Sequence, residues 1–317
     1  MATPSRREPL AEVQPWDAQD SLLRRVVASG QRLLRGFQAP ALSPAVPSTT
    51  VPTTAATPAA EASPHRPAAP FSRTIWTDRL WGEGMAMPGG AEEVLRLAAL
   101  LPLAPAHTVL LAGLGAQSAG TVISGARGCF VAAHDLIVPG EAAPRRRKPP
   151  KRVTAADFSP DAPEFRPAYH QHALLLEPFR HGGAPERLLR ATASALRDSG
   201  EVVLLDLVAR EPITEARWLK LEDRLSPPGE TVMTRALEKS GFRVHVVEDA
   251  GARHQRSALL GWAALLEALR HESERPTPQA AIALVTEAEA WLLRLRLMQQ
   301  GRLRLLRWHA TMMRRPS

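Results

Sequence analysis

Five residues, Thr108–Val109–Leu110–Leu111–Ala112, run without a break into Gly113–Leu114–Gly115–Ala116–Gln117–Ser118–Ala119–Gly120. A short apolar run of this kind marks a strand buried on both faces, as in a parallel sheet. The small residues after it form a turn whose backbone N–H groups open a helix, which Thr121 to Ser124 can continue. A second short strand, Cys129 to Ala133, ends at His134–Asp135, so a carboxylate stands twenty-two residues after the first glycine. Strand, glycine turn, helix and acid-tipped strand make a unit that takes a ligand at the helix N-terminus, and the acid can accept two ribose hydroxyls.

The same alternation continues along the chain. Glu92 to Leu101 reads as an amphipathic helix with Val94, Leu95, Ala98 and Leu101 on one side, closed by Pro102 and Pro105. Arg152 to Ala156 is a weak strand ending at Asp157, and Tyr169 to Leu176 a stronger one ending at Glu177–Pro178. A helix over 184–197, the strand Glu201 to Asp206, a helix over 230–240 closed by Gly241, and the strand Phe242 to Val247 follow. Such alternation predicts an α/β fold with a doubly wound sheet. Ligands of these sheets sit at the carboxyl ends of the strands, where Gly113, Asp135, Asp157 and Glu177 would converge. Two helices, 258–271 and 279–300, then interrupt the alternation. After Gly301 the run RLRLLRWHATMM reads as a returning edge strand with its arginines in solvent.

Composition narrows the function. The net charge is +8, from 40 basic and 32 acidic residues, yet only four of the basic residues are lysines. Positive charge argues for nucleic acid only when gathered on one face, and this bias is compositional, so no nucleic-acid partner is expected. One cysteine, Cys129, excludes an internal disulfide and a cysteine-built zinc site, and it fits a reducing, cytoplasmic setting. No uninterrupted apolar window is long enough to span a bilayer, so no transmembrane segment is expected.

Residues 1–70 read as an arm separate from a domain over 71–317. Residues 39–70 are almost entirely Pro, Ala, Ser, Thr and Val, the composition of a linker. Before it, Leu22, Leu23, Val26, Val27, Leu33, Leu34 and Phe37 recur at helical spacing, with Arg24, Arg25, Arg32 and Arg35 largely on the other face. That basic amphipathic helix suits an anionic membrane surface, another protein, or its own domain. Glu8, Glu12, Asp17 and Asp20 argue against a cleaved targeting segment.

Taken in order, WGEG at 81–84, PGG at 88–90, VLLAGLGAQSAG at 109–120, VAAHD at 131–135, AADF at 155–158 and SGEVVLLD ending at Asp206 resemble the class I S-adenosylmethionine-dependent methyltransferases. SGFRVHVVED at 240–249 and the tail from Glu287 to Ala310 resemble the small-molecule branch. The resemblance covers about 71–317. It implies a Rossmann-like, seven-stranded sheet with an antiparallel last strand and the two inserted helices as a roof over the acceptor site. It also implies S-adenosylmethionine as cofactor. Gly113 and Gly115 would lie against its methionine part, Asp135 would hold the ribose, and Asp157 with Phe158 would frame the adenine. Glu177, and Gln117 in the third glycine's place, complete the expected cofactor edge.

The sequence also departs from that pattern. The carboxylate that usually closes the first strand is replaced by Leu111, and Gln117 replaces a glycine. Losing a charge-assisted hydrogen bond to the cofactor's ammonium costs about 1.5–3 kcal/mol. Pro139, Pro144, Pro149 and Pro150 break the helix expected after the second strand, and RRRKPPKR at 145–152 reads as a solvated loop or an anion-facing patch. These departures leave a second reading open, a degenerate methyltransferase-like domain serving as a binding or assembly module. A methyl transfer needs an aligned nucleophile more than a strong acid or base, so no triad or metal is required. Trp81, Glu83 and His254 are the acceptor-side catalytic candidates, with Arg253 and Arg256 beside His254 at the pocket entrance. His170 and His172 are read as structural, and no metal site is expected.

Overall fold

The computed structural model describes residues 74–136 and 148–313. The arm helix, the linker and the proline-broken segment before Lys148 lie outside the described residues.

Helices α1 (Thr74–Trp81) and α2 (Gly90–Ala98) precede the first strand, β1 (Thr108–Gly113). Next come α3 (Ala116–Arg127), β2 (Phe130–Leu136), β3 (Val153–Phe158) and β4 (His170–Leu176). The chain continues through α4 (Pro185–Ala195), β5 (Leu196–Ala209), α5 (Ala216–Leu221), α6 (Glu230–Lys239) and β6 (Phe242–Asp249). It closes with α7 (Gly251–His271), α8 (Pro278–Gln299) and β7 (Leu303–Met312). The seven strands form one sheet in the order β3-β2-β1-β4-β5-β7-β6. The first five are parallel neighbours, and β7 is antiparallel to both β5 and β6.

Apolar patterning explains the layers. On β1 every residue after Thr108 is buried, with Val109 and Leu111 in one core and Leu110 and Ala112 in the other. The first core is closed by α1, α2, α3, α7 and α8, the second by α4 and α6. Along α7 the buried positions are Gly251, His254, Ala258, Trp262 and Leu265, a stripe at helical spacing. α8 starts cleanly: the Thr277 hydroxyl accepts from Ala280 N–H and Pro278 occupies the first turn.

Three expectations change. β7 is not the edge strand, because its residues are largely buried and it lies between β5 and β6. Its arginines are not simply solvated: Arg307 is buried and paired with Glu248, and Arg304 binds Asp249 and Glu230. α7 begins seven residues earlier than the apolar run suggested, at Gly251, whose N–H donates to the Asp249 carboxylate at 2.8 Å.

Candidate cofactor and acceptor site

The sheet register sets the strand tips in a row. Leu176 of β4 pairs with Gly113 of β1, Gly113 with Asp135 of β2, and Asp135 with Asp157 of β3. Gly113 has φ 126°, and a Cβ there would lie 2.0 Å from the Leu176 carbonyl oxygen. That oxygen instead accepts the Leu114 N–H at 2.8 Å, so the chain leaves β1 pressed against the tip of β4. Gly115, left-handed, is the N-cap of α3. α3 has no acid in its own first turn, and Asp135 supplies one, accepting Gln117 N–H at 3.1 Å.

The WGEG turn closes over this edge. A Cβ on Gly84 would come 2.0 Å from Ser118 Oγ, and one on Gly115 would come 2.6 Å from the Gly84 carbonyl. Gly115 is therefore fixed by the approach of the Gly84 backbone and Gly84 by the Ser118 side chain, with Asp78 Oδ1 accepting Gly84 N–H at 2.8 Å. The predicted site residues divide accordingly. Gly113, Gly115, Gln117, Asp135 and Asp157 share one edge, and Glu83 is exposed on the turn beside it. Phe158 does not join them: strand alternation sends it into the other core, 2 % exposed and stacked on Phe165. Leu111 is fully buried, so its position offers no charge to a cofactor.

Beyond the tip of β4 lies a buried ionic cluster. Glu177 has a left-handed backbone, φ 40°, and is 1 % exposed. Arg224 donates to it at 2.8 Å, and Arg294 Nη1 lies 3.6 Å away. Arg294 also binds Glu222 through Nε at 2.6 Å and Nη2 at 2.5 Å, a fork-to-carboxylate pair. Arg180 donates to the Glu222 carbonyl, and Trp218 Nε1 donates to Glu222 Oε1 at 2.9 Å. Burial opposes ionisation of Glu177 and Glu222, yet the guanidinium groups of Arg294, Arg224 and Arg180 hold both below the usual carboxylate range. Asp206, within β5, accepts Phe179 N–H and Leu207 N–H, and burial lifts its carboxyl to about 7.

Two acceptor-side candidates meet at this cluster. Trp81 packs edge-on to Trp291 at 5.2 Å, and His254 lies 5.6 Å from the same indole. His254 is not at a pocket entrance: the stripe of α7 turns it inward, 6 % exposed, while Arg253 pairs with Glu93 and Glu248 and Arg256 is exposed. Its Nε2 faces Arg294 Nη1 at 3.3 Å, and burial, with the Arg294 charge beside it, holds its pKa at about 3. A neutral imidazole that accepts from arginine orients Arg294; it is not a free base. The sequence reading missed Arg180, Asp206, Glu222, Arg224 and Arg294, which, apart from the neighbours Glu222 and Arg224, lie far apart in the chain. The only signal for them was charge inside otherwise apolar stripes, as at Glu287 and Arg294 of α8.

The buried histidine gives a pH signature. Its depressed pKa contributes stability that is present above about 6.5 and lost as pH falls toward about 3, at about 1.4 kcal/mol per pH unit. Asp206 runs the other way, its contribution present below about 4 and lost as pH rises through about 7. Comparing the parent with His254→Gln cancels the aspartate. Urea unfolding is expected to show the cost of His254→Gln shrinking by about 2 kcal/mol between pH 7.5 and pH 5. A gap independent of pH would place the imidazole in solvent.

No protein-family model and no curated relative matches the chain. Among solved structures it is similar to phosphoethanolamine N-methyltransferase 2 of Haemonchus contortus bound to S-adenosyl-L-methionine, at 16 % identity and TM-score 0.63, over 78 % of this chain and 59 % of that one. The same enzyme with phosphomonomethylethanolamine and S-adenosylhomocysteine matches at 16 % and 0.60, over 77 % and 58 %. A putative sarcosine dimethylglycine methyltransferase from Galdieria sulphuraria matches at 12 % and 0.52, over 70 % of this chain and 85 % of that one. The cyclase SpnF matches at 15 % and 0.52, over 70 % and 81 %. The fold is thus that of the class I S-adenosylmethionine-dependent methyltransferases, with the sheet order and antiparallel β7 in place. The chain spans less than two thirds of the length of the first enzyme named.

Proposed function

We propose that this chain is an enzyme that binds S-adenosylmethionine across the tips of β1, β2 and β3 and transfers its methyl group to a small-molecule or lipid-headgroup acceptor under the roof of α7 and α8. The observation that carries this reading is the single register row of Gly113, Asp135 and Asp157 at the carboxyl edge of the fold. The residues present suit the cofactor at the ribose and adenine end, where carboxylates are available. They are poorer at the ammonium end, where Leu111 stands. Bound there, S-adenosylmethionine supplies an electrophilic methyl on a sulfonium, and direct displacement needs alignment rather than acid or base strength. The chain's part is to hold the ribose at Asp135, to exclude water with the 82–86 turn and the Trp81–Trp291 pair, and to fix the acceptor wall through the Arg294 cluster.

Two observations favour a second reading, a binding module on the same fold: Leu111 at the acid's position, and the Gly84 carbonyl lying against Gly115. Calorimetry separates the two. Binding of S-adenosylmethionine or its demethylated product is expected, and Asp135→Ala is expected to weaken it at least tenfold while Asp198→Ala, on an exposed residue at the opposite end of the sheet, leaves it unchanged. Absence of heat and of thermal shift with both ligands removes the enzyme reading.

For residues 1–70 the proposal remains that of a tethered arm whose basic helix makes peripheral contact with an anionic membrane or another protein, in the cytoplasm. No helix among the described residues is long and apolar enough to cross a membrane. Salt-sensitive flotation with anionic liposomes, lost on removal of residues 1–70, is the expected result for membrane contact.

A further inference from the structure

We propose that the amino edge of the sheet, opposite the cofactor edge, holds a second binding site, for a phosphate monoester, in the pocket formed by Ser199, Arg243 and Thr311. The pocket has a volume of about 260 Å³ and is lined by these three residues with Met312 and Met313. Three strands bring them together. Thr311 of β7 is the ladder partner of both Glu201 of β5 and Arg243 of β6, and Ser199 stands two residues before Glu201. This inference is independent of the proposed activity.

The first sign of a ligand is the backbone of Ser199. Between the pairs His170–Leu196 and His172–Glu201, β4 advances two residues while β5 advances five, so β5 bulges over 197–200. A Cβ on Gly200 would lie 2.6 Å from the Gln171 carbonyl oxygen and 2.9 Å from that of Arg197, so the bulge is tightly wound. Within it Ser199 has φ 63°, a left-handed backbone that glycine adopts freely and serine only at a cost. Bulges re-aim side chains, and strain held on a residue other than glycine marks a place where the side chain has a use.

The second sign is an uncommitted cation. Arg243, the only arginine of β6, is exposed and has no ion pair among the described residues, whereas Arg304 and Arg307 of β7 each hold a carboxylate. The Thr311 hydroxyl lies 2.7 Å from His245 Nε2; with that nitrogen donating, the hydroxyl keeps its own proton for a ligand. No acid lines the pocket, and Glu201, across the ladder from Thr311, is engaged by His309 at 2.7 Å. The stretches 197–199, 241–243 and 311–315, which supply the lining, carry Arg197, Arg243, Arg314 and Arg315 against the single acid Asp198. A guanidinium and two hydroxyls from three strands offer donors in three directions, which suits the tetrahedral oxygens of a phosphate. A planar carboxylate would use the guanidinium fork alone. Met312 and Met313 supply an apolar wall for the organic group of the ester.

Calorimetric titration of the full chain with methyl phosphate, inorganic phosphate and acetate tests it. Methyl phosphate is expected to bind more tightly than inorganic phosphate, and acetate at least tenfold more weakly than either. Arg243→Gln is expected to weaken methyl phosphate binding at least tenfold with an unchanged melting temperature, while Arg235→Gln, on an exposed residue of α6, changes neither. Ser199→Gly removes the hydroxyl together with the strain, so it is expected to weaken binding several-fold and to raise the melting temperature. A loss of affinity joined to a gain in stability cannot come from unfolding. Absence of methyl phosphate binding overturns the proposal, as does binding that Arg243→Gln leaves intact, since other basic segments then carry it. Acetate that binds as well as methyl phosphate, or a Ser199→Gly variant with unchanged affinity, overturns it too.

Discussion

Arg294→Ala is expected to lower the unfolding free energy by about 3–5 kcal/mol, the cost of removing one partner from a buried ion pair. Arg294 is 2 % exposed and holds two carboxylates, Glu222 by a fork and Glu177 by one arm. Without it, Arg224 and Arg180 remain, but Arg224 approaches Glu222 only at 3.4 Å and Arg180 at 4.0 Å. Glu222 would then be left with weaker partners in a medium that penalises ionisation, while Glu177 keeps Arg224 at 2.8 Å. The exposed Arg217–Glu289 pair, with the Arg217 side chain 70 % accessible, is the comparison: Arg217→Ala is expected to change stability little, because water screens the pair. Urea unfolding of both variants at pH 7.5 checks the contrast. Equal small losses would mean that the cluster is hydrated in solution and that the roof of α7 and α8 does not rest on it. The cofactor calorimetry described above, repeated on Arg294→Met, distinguishes a lost acceptor wall from a lost fold.

The second large effect is expected at the glycine turn. Gly113→Ala adds one methyl group, yet that Cβ would stand 2.0 Å from the Leu176 carbonyl oxygen and 2.8 Å from its carbon, both backbone atoms. The φ of 126° is itself closed to L side chains. Since neither neighbour can rotate away, β1 must part from β4, and a loss of at least about 3 kcal/mol is expected. Gly125, in α3, has an ordinary helical backbone and nothing within 4 Å of its Cβ position. Gly125→Ala is accordingly expected to stabilise the fold by about 0.5–1 kcal/mol. Thermal melts of the two single-methyl variants should move in opposite directions. A fold indifferent to Gly113→Ala would sink the register on which the candidate site is built.

What the sequence determined was local. The apolar run before Gly113, the acid at Asp135 and the regular spacing of later strands and helices carry the α/β alternation, because burial on both faces leaves a continuous apolar run and small residues alone permit the turn. From these the sheet and its candidate ligand edge were legible. Tertiary structure decided everything that depends on residues distant in the chain. β7 ranked as an edge strand by sequence because its arginines looked solvated, but insertion between β5 and β6 gives Arg304 and Arg307 carboxylate partners contributed by other elements. His254 looked like a loop residue until α7 started at Gly251 and wound it inward. Glu177, the neighbouring Glu222 and Arg224, and Arg294 come from three separate places in the chain, and each alone reads as a surface charge. Their mutual neutralisation, which makes burial tolerable, exists only once β4, α5 and α8 are packed together.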